Sequence, residues 1–362
     1  MNIASSFFAA SDRVASFLAR LMSPAFFIGA VLGMLVVLGL IIYKPLTEFH
    51  MTDPMTEIVP FTPRKQTNGA EAAVPVHVGM FIQNFPVFDV IANSFTSDLI
   101  LWFQFDPSLI PLETIQKFSF DRATILRITE ADMKMKGKKL FVQYGIRLAF
   151  SSPLDHTLFP LNDHRINIIL RNEYVTPSEI IFEAPRSSFI VAPKVHTSDW
   201  NIADRSTQTG YFKEKLDELD PSQTLEFPAA VFSIDLEKKG FRKIFIIMLP
   251  LLLLFIISVF TLLMDPKPLA RSILTLSTGT LTGVIAYRFV IEKIIPDVGY
   301  FTLTDHMFNL FLTGIFVIFV VNIFIVRKGE EDKQSRILKV LTLVIVEFLI
   351  IATFYYLLRS VQ

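Results

Sequence analysis

Cysteine is absent from the 362 residues, which excludes disulfides, thiolate metal sites and a cysteine nucleophile and leaves the redox compartment open. Any domain outside the cytoplasm must hold itself together by packing. Net charge is missing as well. The 34 basic residues balance 34 acidic ones, so there is neither a basic field nor an acidic tail, and the basic-patch-with-aromatics pattern of a nucleic-acid binder is not found. Nucleic acid is therefore not expected as a partner. No Ser-His-Asp order, glycine-rich phosphate loop or paired-carboxylate motif stands out, so neither enzyme activity nor a cofactor is expected. The pairs Asp155-His156, Asp163-His164 and Asp305-His306 lack a ligand spacing such as His-Glu-x-x-His, and no metal site is expected from them.

Charge of either sign is scarce, at 19% against about a quarter in soluble domains. What replaces it is apolar: 52% of residues are hydrophobic, 36 of them Phe. A helix needs about 20 apolar residues to cross the hydrocarbon of a bilayer, and four segments qualify outright: 23–43, 244–264, 307–326 (from a helix expected over 305–326) and 337–358. A fifth, 271–292, opens with RSILTLSTGTLTG, whose six hydroxyls make it marginal. It is credible only if its polar side avoids lipid.

The 23–43 span follows Arg13 and Arg20 as a signal peptide would. Its apolar run exceeds the roughly 7–15 residues of a signal core, and no small-x-small cleavage site follows, so it reads as an uncleaved anchor. Before it, residues 1–22 space Phe7, Phe8, Val14, Phe17, Leu18 and Leu21 like one face of an interfacial helix, with a frayed terminus as the alternative. The positive residues place the N-terminus in the cytoplasm and the loops 265–271 and 327–339 beside it, which puts the segment 74–242 and the C-terminus outside the cytoplasm.

Residues 44–73, rich in proline and polar residues, read as a linker. From 74 to 242 the period changes from helix to strand: LFVQYGIRLAF, RINIIL and VFSIDLE alternate apolar and polar positions, and VHVGMFI, DLILWFQF and ATILRIT add further strands. The expected fold class is a membrane α+β protein. An extracytoplasmic β-sandwich is followed by a four-helix transmembrane bundle over 243–362, with one N-terminal transmembrane helix.

On a helix at ~100° per residue, Thr275, Thr278, Thr282, Ile285, Phe289 and Glu292 all fall within about 60° of Arg271. A single helix cannot shelter this row from lipid. Several copies around an axis can, lining water with hydroxyls at the inner half and with an apolar constriction, Ile285 and Phe289, at the outer half. The competing reading of membrane hydroxyls is hydrogen bonding between helices, and Ser277 and Thr280, on the opposite side, are assigned to it. A ring of Arg271 at the inner mouth gives a lean to anions; Glu292 acts oppositely at the outer mouth, where Arg288, four residues earlier, can pair with it. In the last span Lys339 is expected to snorkel and Glu347 to face protein.

Several motifs resemble the pentameric ligand-gated ion channel, or Cys-loop receptor, superfamily over about residues 74–360. VPVHVGMFIQNFPVFDVIANSFTSDLILW resembles its opening strand pair. LFPLNDHRINIIL (158–170) resembles its signature loop: Phe159 and Pro160 match, Asn162 stands where Asp is usual, His164 where Gln is usual, and both cysteines are absent, as in prokaryotic members. SIDLEKKGFRKIFIIMLP matches the passage into the first pore-domain helix, with Lys238 in place of the usual Arg and with Pro250. PDVGYFTLTD fits Pro-x-Val-x-Tyr-x-x-x-x-Asp through Pro296, Val298, Tyr300 and Asp305. The 23–43 span departs from the family, and the stretch from Trp102 to Phe159 is shorter than usual.

The resemblance implies a homopentamer in the cell membrane, opened by a small-molecule or proton ligand and passing an ion. Phe159, Pro160, Asn162, His164, Lys238, Pro296, Val298, Tyr300 and Asp305 would couple the outer domain to the pore. It also implies agonist contacts at Trp102, Tyr211 and Phe212, against the alternative that Trp102 packs the core, as is assigned to Trp200. Titration of His156 and His164 would bias gating. The other function considered is a non-conducting, membrane-anchored sensor on the same scaffold. A transporter is disfavoured by the lack of broken-helix inverted repeats.

Overall fold

The computed structural model describes residues 23–49, 51–54, 56, 58–61, 73–197, 199–216, 223–328 and 333–359. The interfacial helix expected within 1–22 lies outside them. The chain divides into two units. A β-unit holds residues 50–155 and 163–239, and a helical unit holds the chain up to Phe49, His156–Asn162 and the chain from Gly240.

Alternation builds the β-unit. Strand β3 (Ser94–Phe105) buries Phe95, Ser97, Leu99, Leu101, Phe103 and Phe105 and leaves every second residue at least partly exposed. Such a strand has one face for a core and one for water. One sheet runs β1 (Val59–Pro60), β11 (Trp200–Lys215), β12 (Thr224–Lys238), β8 (His164–Arg171), β4 (Ser119–Phe120). The other runs β10 (Phe189–Val191), β2 (Val74–Asp89), β3, β7 (Lys139–Phe150), β5 (Ala123–Ile128), with β6 (Asp132–Lys136) beside β7 and β9 (Ile180–Glu183) beside β2. The buried faces share one cluster in which Phe103, Phe105 and Leu101 from one sheet join Ile166, Leu170, Phe232 and Ile234 from the other.

The stretch expected to be a linker, 44–73, is partly built in. The first helix, α1 (Pro24–Thr47), extends through Pro45, Asp53 is buried, and Val59 and Pro60 pair with Tyr211 and Gly210. Gly210 allows this: a Cβ there would lie 2.3 Å from the Val59 carbonyl oxygen. Proline marks an edge strand as readily as a loop, which is why composition alone misread it.

Among the described residues five helices are long and apolar enough to cross a membrane: α1, α3 (Arg242–Leu263), α4 (Pro266–Glu292), α5 (Leu303–Lys328) and α6 (Lys333–Arg359). The short α2 (Leu112–Ile115) belongs to the β-unit. Helix α4 starts on an Asp265 cap with Pro266 in its first turn and has non-helical backbone at Leu269, so the regular part begins close to the expected Arg271. It packs on α3 and α5; α6 packs on α5, and α1 on α6 and more lightly on α3.

Pro250 inside α3 has no N–H for the carbonyl one turn back. That carbonyl, Ile246 O, instead accepts the Tyr287 hydroxyl of α4 at 2.5 Å, so the break in one helix becomes a tie to the next. Lys339 is buried and its ammonium donates to the Met264 carbonyl at 3.0 Å, capping the end of α3. Glu347 is buried.

Candidate functional site

In the single chain Arg271, Thr275, Thr278, Thr282, Ile285, Phe289 and Glu292 are all exposed, whereas Ile273, Ser277, Thr280, Val284 and Ile291 of the same helix are buried. Phe289 is 68% exposed. The helix therefore turns one face to its neighbours and leaves a mixed hydroxyl and aromatic row exposed.

The buried hydroxyls separate into two roles. Ser277 joins a cluster across three helices: the Asn322 amide of α5 donates to Ser277 Oγ at 2.8 Å and to Thr261 Oγ1 of α3 at 2.6 Å. Thr280, expected to bond between helices, does not: its hydroxyl donates to the Ser277 carbonyl of its own helix at 3.0 Å. A buried threonine can always satisfy itself one turn back, and a wheel plot does not distinguish the two outcomes.

The segment His156–Asn162 belongs to the helical unit although the chain on both sides of it is β-unit. Leu158 and Leu161 sit in the helical core with Met307, Phe311 and Ile42. Phe159 and Asn162 are buried as well, and Pro160 follows a cis peptide bond. The backbone is knitted to the start of α5. Leu303 N–H donates to Thr157 O at 2.7 Å, Thr304 N–H and Oγ1–H donate to Phe159 O at 3.2 and 2.9 Å, and His156 N–H donates to the Tyr300 hydroxyl at 2.9 Å.

The same helix start carries a reciprocal cap. Asp305 Oδ2 accepts Thr302 N–H at 2.9 Å and the Thr302 hydroxyl at 2.8 Å, and Asp305 N–H points back to Thr302 Oγ1 at 3.3 Å. This is a capping box, Thr-x-x-Asp, before an apolar run. The other oxygen, Asp305 Oδ1, accepts from Arg288 Nη1 of α4 at 2.7 Å, and Arg288 Nε donates to Glu292 at 3.1 Å. A continuous set of bonds thus leads from Thr157 and Phe159 through Thr302–Asp305 to Arg288, one residue from Phe289. Pro296 is buried and Val298 half-buried, in the turn between α4 and α5. Neither Arg288 nor Thr302 was assigned to coupling from the sequence; the T-x-x-D spacing was the legible signal for Thr302.

In the β-unit, Lys238 ends β12 with its ammonium 3.4 Å from the buried Asp163 carboxylate, which also accepts its backbone N–H at 3.1 Å. Burial pushes the Lys238 ammonium below its ordinary value and outweighs the opposing pull of Asp163. The carboxylate that meets Lys238 is thus Asp163, the residue after the buried Asn162. Arg165 makes a two-point pair with Asp235 at 2.5 and 2.9 Å, a bond that holds its guanidinium above the usual range. His164 is buried, its Nδ1 3.1 Å from Asp53 Oδ1 and its ring 5.2 Å from that of Trp200. Trp200 itself is only partly buried at the margin of the core.

The three candidate ligand aromatics do not gather within one chain. Trp102 lies on the outward face of β3, stacked on Phe141 at 5.6 Å, over Gly79, where a Cβ would fall 2.2 Å from the indole. It is not a core residue. Tyr211 and Phe212 lie on β11 in the other sheet, meeting Phe61 and Phe227 respectively.

Set against models of known protein families the chain matches none, and no match is found among curated proteins.

Proposed function

We propose that this chain is one subunit of a homopentameric ligand-gated ion channel. In this reading the two sheets form an extracytoplasmic β-sandwich, α3–α6 form the four-helix pore bundle with α1 as an added N-terminal span, and α4 lines the pore. The observation that carries it is the exposed row Arg271, Thr275, Thr278, Thr282, Ile285, Phe289 and Glu292. Around a shared axis this row, charged at both ends, faces water rather than lipid.

The bonds from Thr157 and Phe159 to Thr302–Asp305 and Arg288 support a gating route. A small-molecule or proton ligand on the β-unit displaces the 156–162 loop, the loop moves the start of α5, and Arg288 carries that motion to the outer end of α4, where Phe289 and Ile285 narrow the path. Trp102 and the Tyr211–Phe212 strand lie in different sheets, so an agonist touching all three would bind between neighbouring subunits. Arg271 at the inner mouth inclines the pore to anions, and Arg288, shared between Glu292 and Asp305, offsets only part of the negative charge at the outer mouth. No catalytic step and no cofactor enters the mechanism.

Purified protein in planar bilayers tests this. Wild type is expected to give single-channel events, Thr282→Leu to reduce or abolish them, and Arg271→Glu to move the reversal potential in asymmetric chloride. No events across pH and ligand screens would sink the channel reading in favour of a non-conducting sensor on the same scaffold; an unmoved reversal potential would remove Arg271 from the filter.

A further inference from the structure

The gating route just described makes no use of the segment that follows α1, yet that segment contains a carboxylate buried as completely as that of Asp163. The Asp53 side chain is 1% exposed. Its Oδ1 accepts the Asp155 N–H at 2.7 Å and its Oδ2 the Arg165 N–H at 2.6 Å. His164 Nδ1 lies 3.1 and 3.3 Å from the two oxygens. Met51, two residues earlier, forms a parallel bridge with Asp163.

A carboxylate is removed from water only where donors replace its hydration, and the nearby cations are committed elsewhere. Arg165 holds Asp235 with both guanidinium contacts, and Lys238 lies against Asp163. The donors that replace water are two backbone amides and an imidazole. The amides come from the two ends of the stem of the 156–162 loop: Asp155 immediately precedes it, and Arg165 follows it at the start of β8. Between the end of β7 at Phe150 and the start of β8 at His164 no ladder holds the stem. Asp53, with one oxygen to each end, ties the stem beside the Met51–Asp163 bridge.

We propose that Asp53 is a positioning residue for the 156–162 loop, and that through it the α1 span and the chain leaving that span form a second input to the loop, separate from the ligand. The positioning claim stands on the bonds above; the claim of a second input rests on the channel reading.

The full-length oligomer decides both. Hydrogen exchange by mass spectrometry is followed over 151–166 in wild type, Asp53→Asn, Asp53→Ala and Asp53→Glu, with 5-fluorotryptophan at the two tryptophans read by 19F NMR as a probe of His164 against Trp200. Asp53→Asn and Asp53→Ala are expected to speed exchange at Asp155 and Arg165 at least tenfold and to shift the Trp200 resonance. Exchange in the rest of β8 and in β12 should be unchanged, and Asp53→Glu should restore part of the protection. Unchanged exchange at those amides, or equal loss throughout β8 and β12, overturns the positioning role.

In bilayers, open probability at fixed pH and voltage needs no identified agonist. It is expected to change at least threefold in Asp53→Asn with unit conductance unaltered, and non-additively with Thr304→Val, which removes the hydroxyl bond to Phe159. Additive effects, or no change, overturn the second input. Absence of wild-type current overturns the channel reading, and the second input with it, while the exchange result still decides the placement of Asp53.

Discussion

Replacing Asp305 by alanine removes three bonds at once, and each has a separable cost. Loss of the cap at the start of α5 costs about 1 kcal/mol. The Thr302 N–H, on a residue with no exposed surface, loses its acceptor, for about 1–3 kcal/mol. The ion pair with Arg288, whose side chain is 31% exposed, adds less than about 1 kcal/mol after solvent screening. The first two overlap, so the expected total is about 2–4 kcal/mol of stability. Asp305→Asn keeps an oxygen for Thr302 and should lose about 1 kcal/mol. The assay is denaturant unfolding of the detergent-solubilised protein under reversible conditions, with Arg288→Gln and the double variant completing a cycle. A coupling of about 0.5–1 kcal/mol between Asp305→Asn and Arg288→Gln is expected for a pair in direct contact. Asp305→Ala within about 0.5 kcal/mol of wild type would refute the capping argument, and zero coupling would refute the link to α4.

Three further outcomes follow from the same reasoning. Gly79→Ala places a methyl where the Trp102 ring lies; it should cost about 1–3 kcal/mol by overpacking and change the Trp102 emission in a Trp200→Phe background, and unchanged emission would show the ring does not rest there. Asn322→Leu removes both amide bonds of the Thr261–Ser277 cluster and should destabilise the helical unit by about 1–3 kcal/mol, at about 0.6–2 kcal/mol per bond in a membrane interior; a more stable variant on thermal unfolding would contradict it. Lys238 has its folded-state value lowered from 10.5 by burial, so the unfolded chain binds the proton more tightly and stability should rise with pH between the lowered value and about 10.5. Lys238→Met should flatten that rise, measured by unfolding at successive pH values; an identical slope in both proteins would argue against it.

The strands were legible because burial on one face imposes a period of two, as in β3. The sidedness of α4 was legible for the same kind of reason, a period of 3.6 with hydroxyls as markers. Asp53 left no such trace: its partner His164 is 111 residues away in sequence, and a lone acidic residue among prolines carries no periodicity. The pairing of Asp163 with Lys238 left no trace either, since an irregular segment has no repeat to fix its register. Arg288 was seen only as a neighbour of Glu292, since i,i+4 pairing is local; its bond to Asp305 depends on how two helices pack. Thr280 shows the limit from the other side. The wheel predicted its burial but not that its hydroxyl would turn back to its own helix.

The loop 156–162 has a practical consequence for anyone wishing to study the β-unit alone. Leu158 and Leu161 are buried in the helical cluster of Met307 and Phe311, and Phe159 between them is buried as well. A fragment lacking α1 and the chain from Arg242 would lose that helical cluster and leave these side chains as an apolar knuckle bare to water. Such a fragment should self-associate through that knuckle, and exchanging the three side chains for polar ones should return it to a monodisperse species in gel filtration.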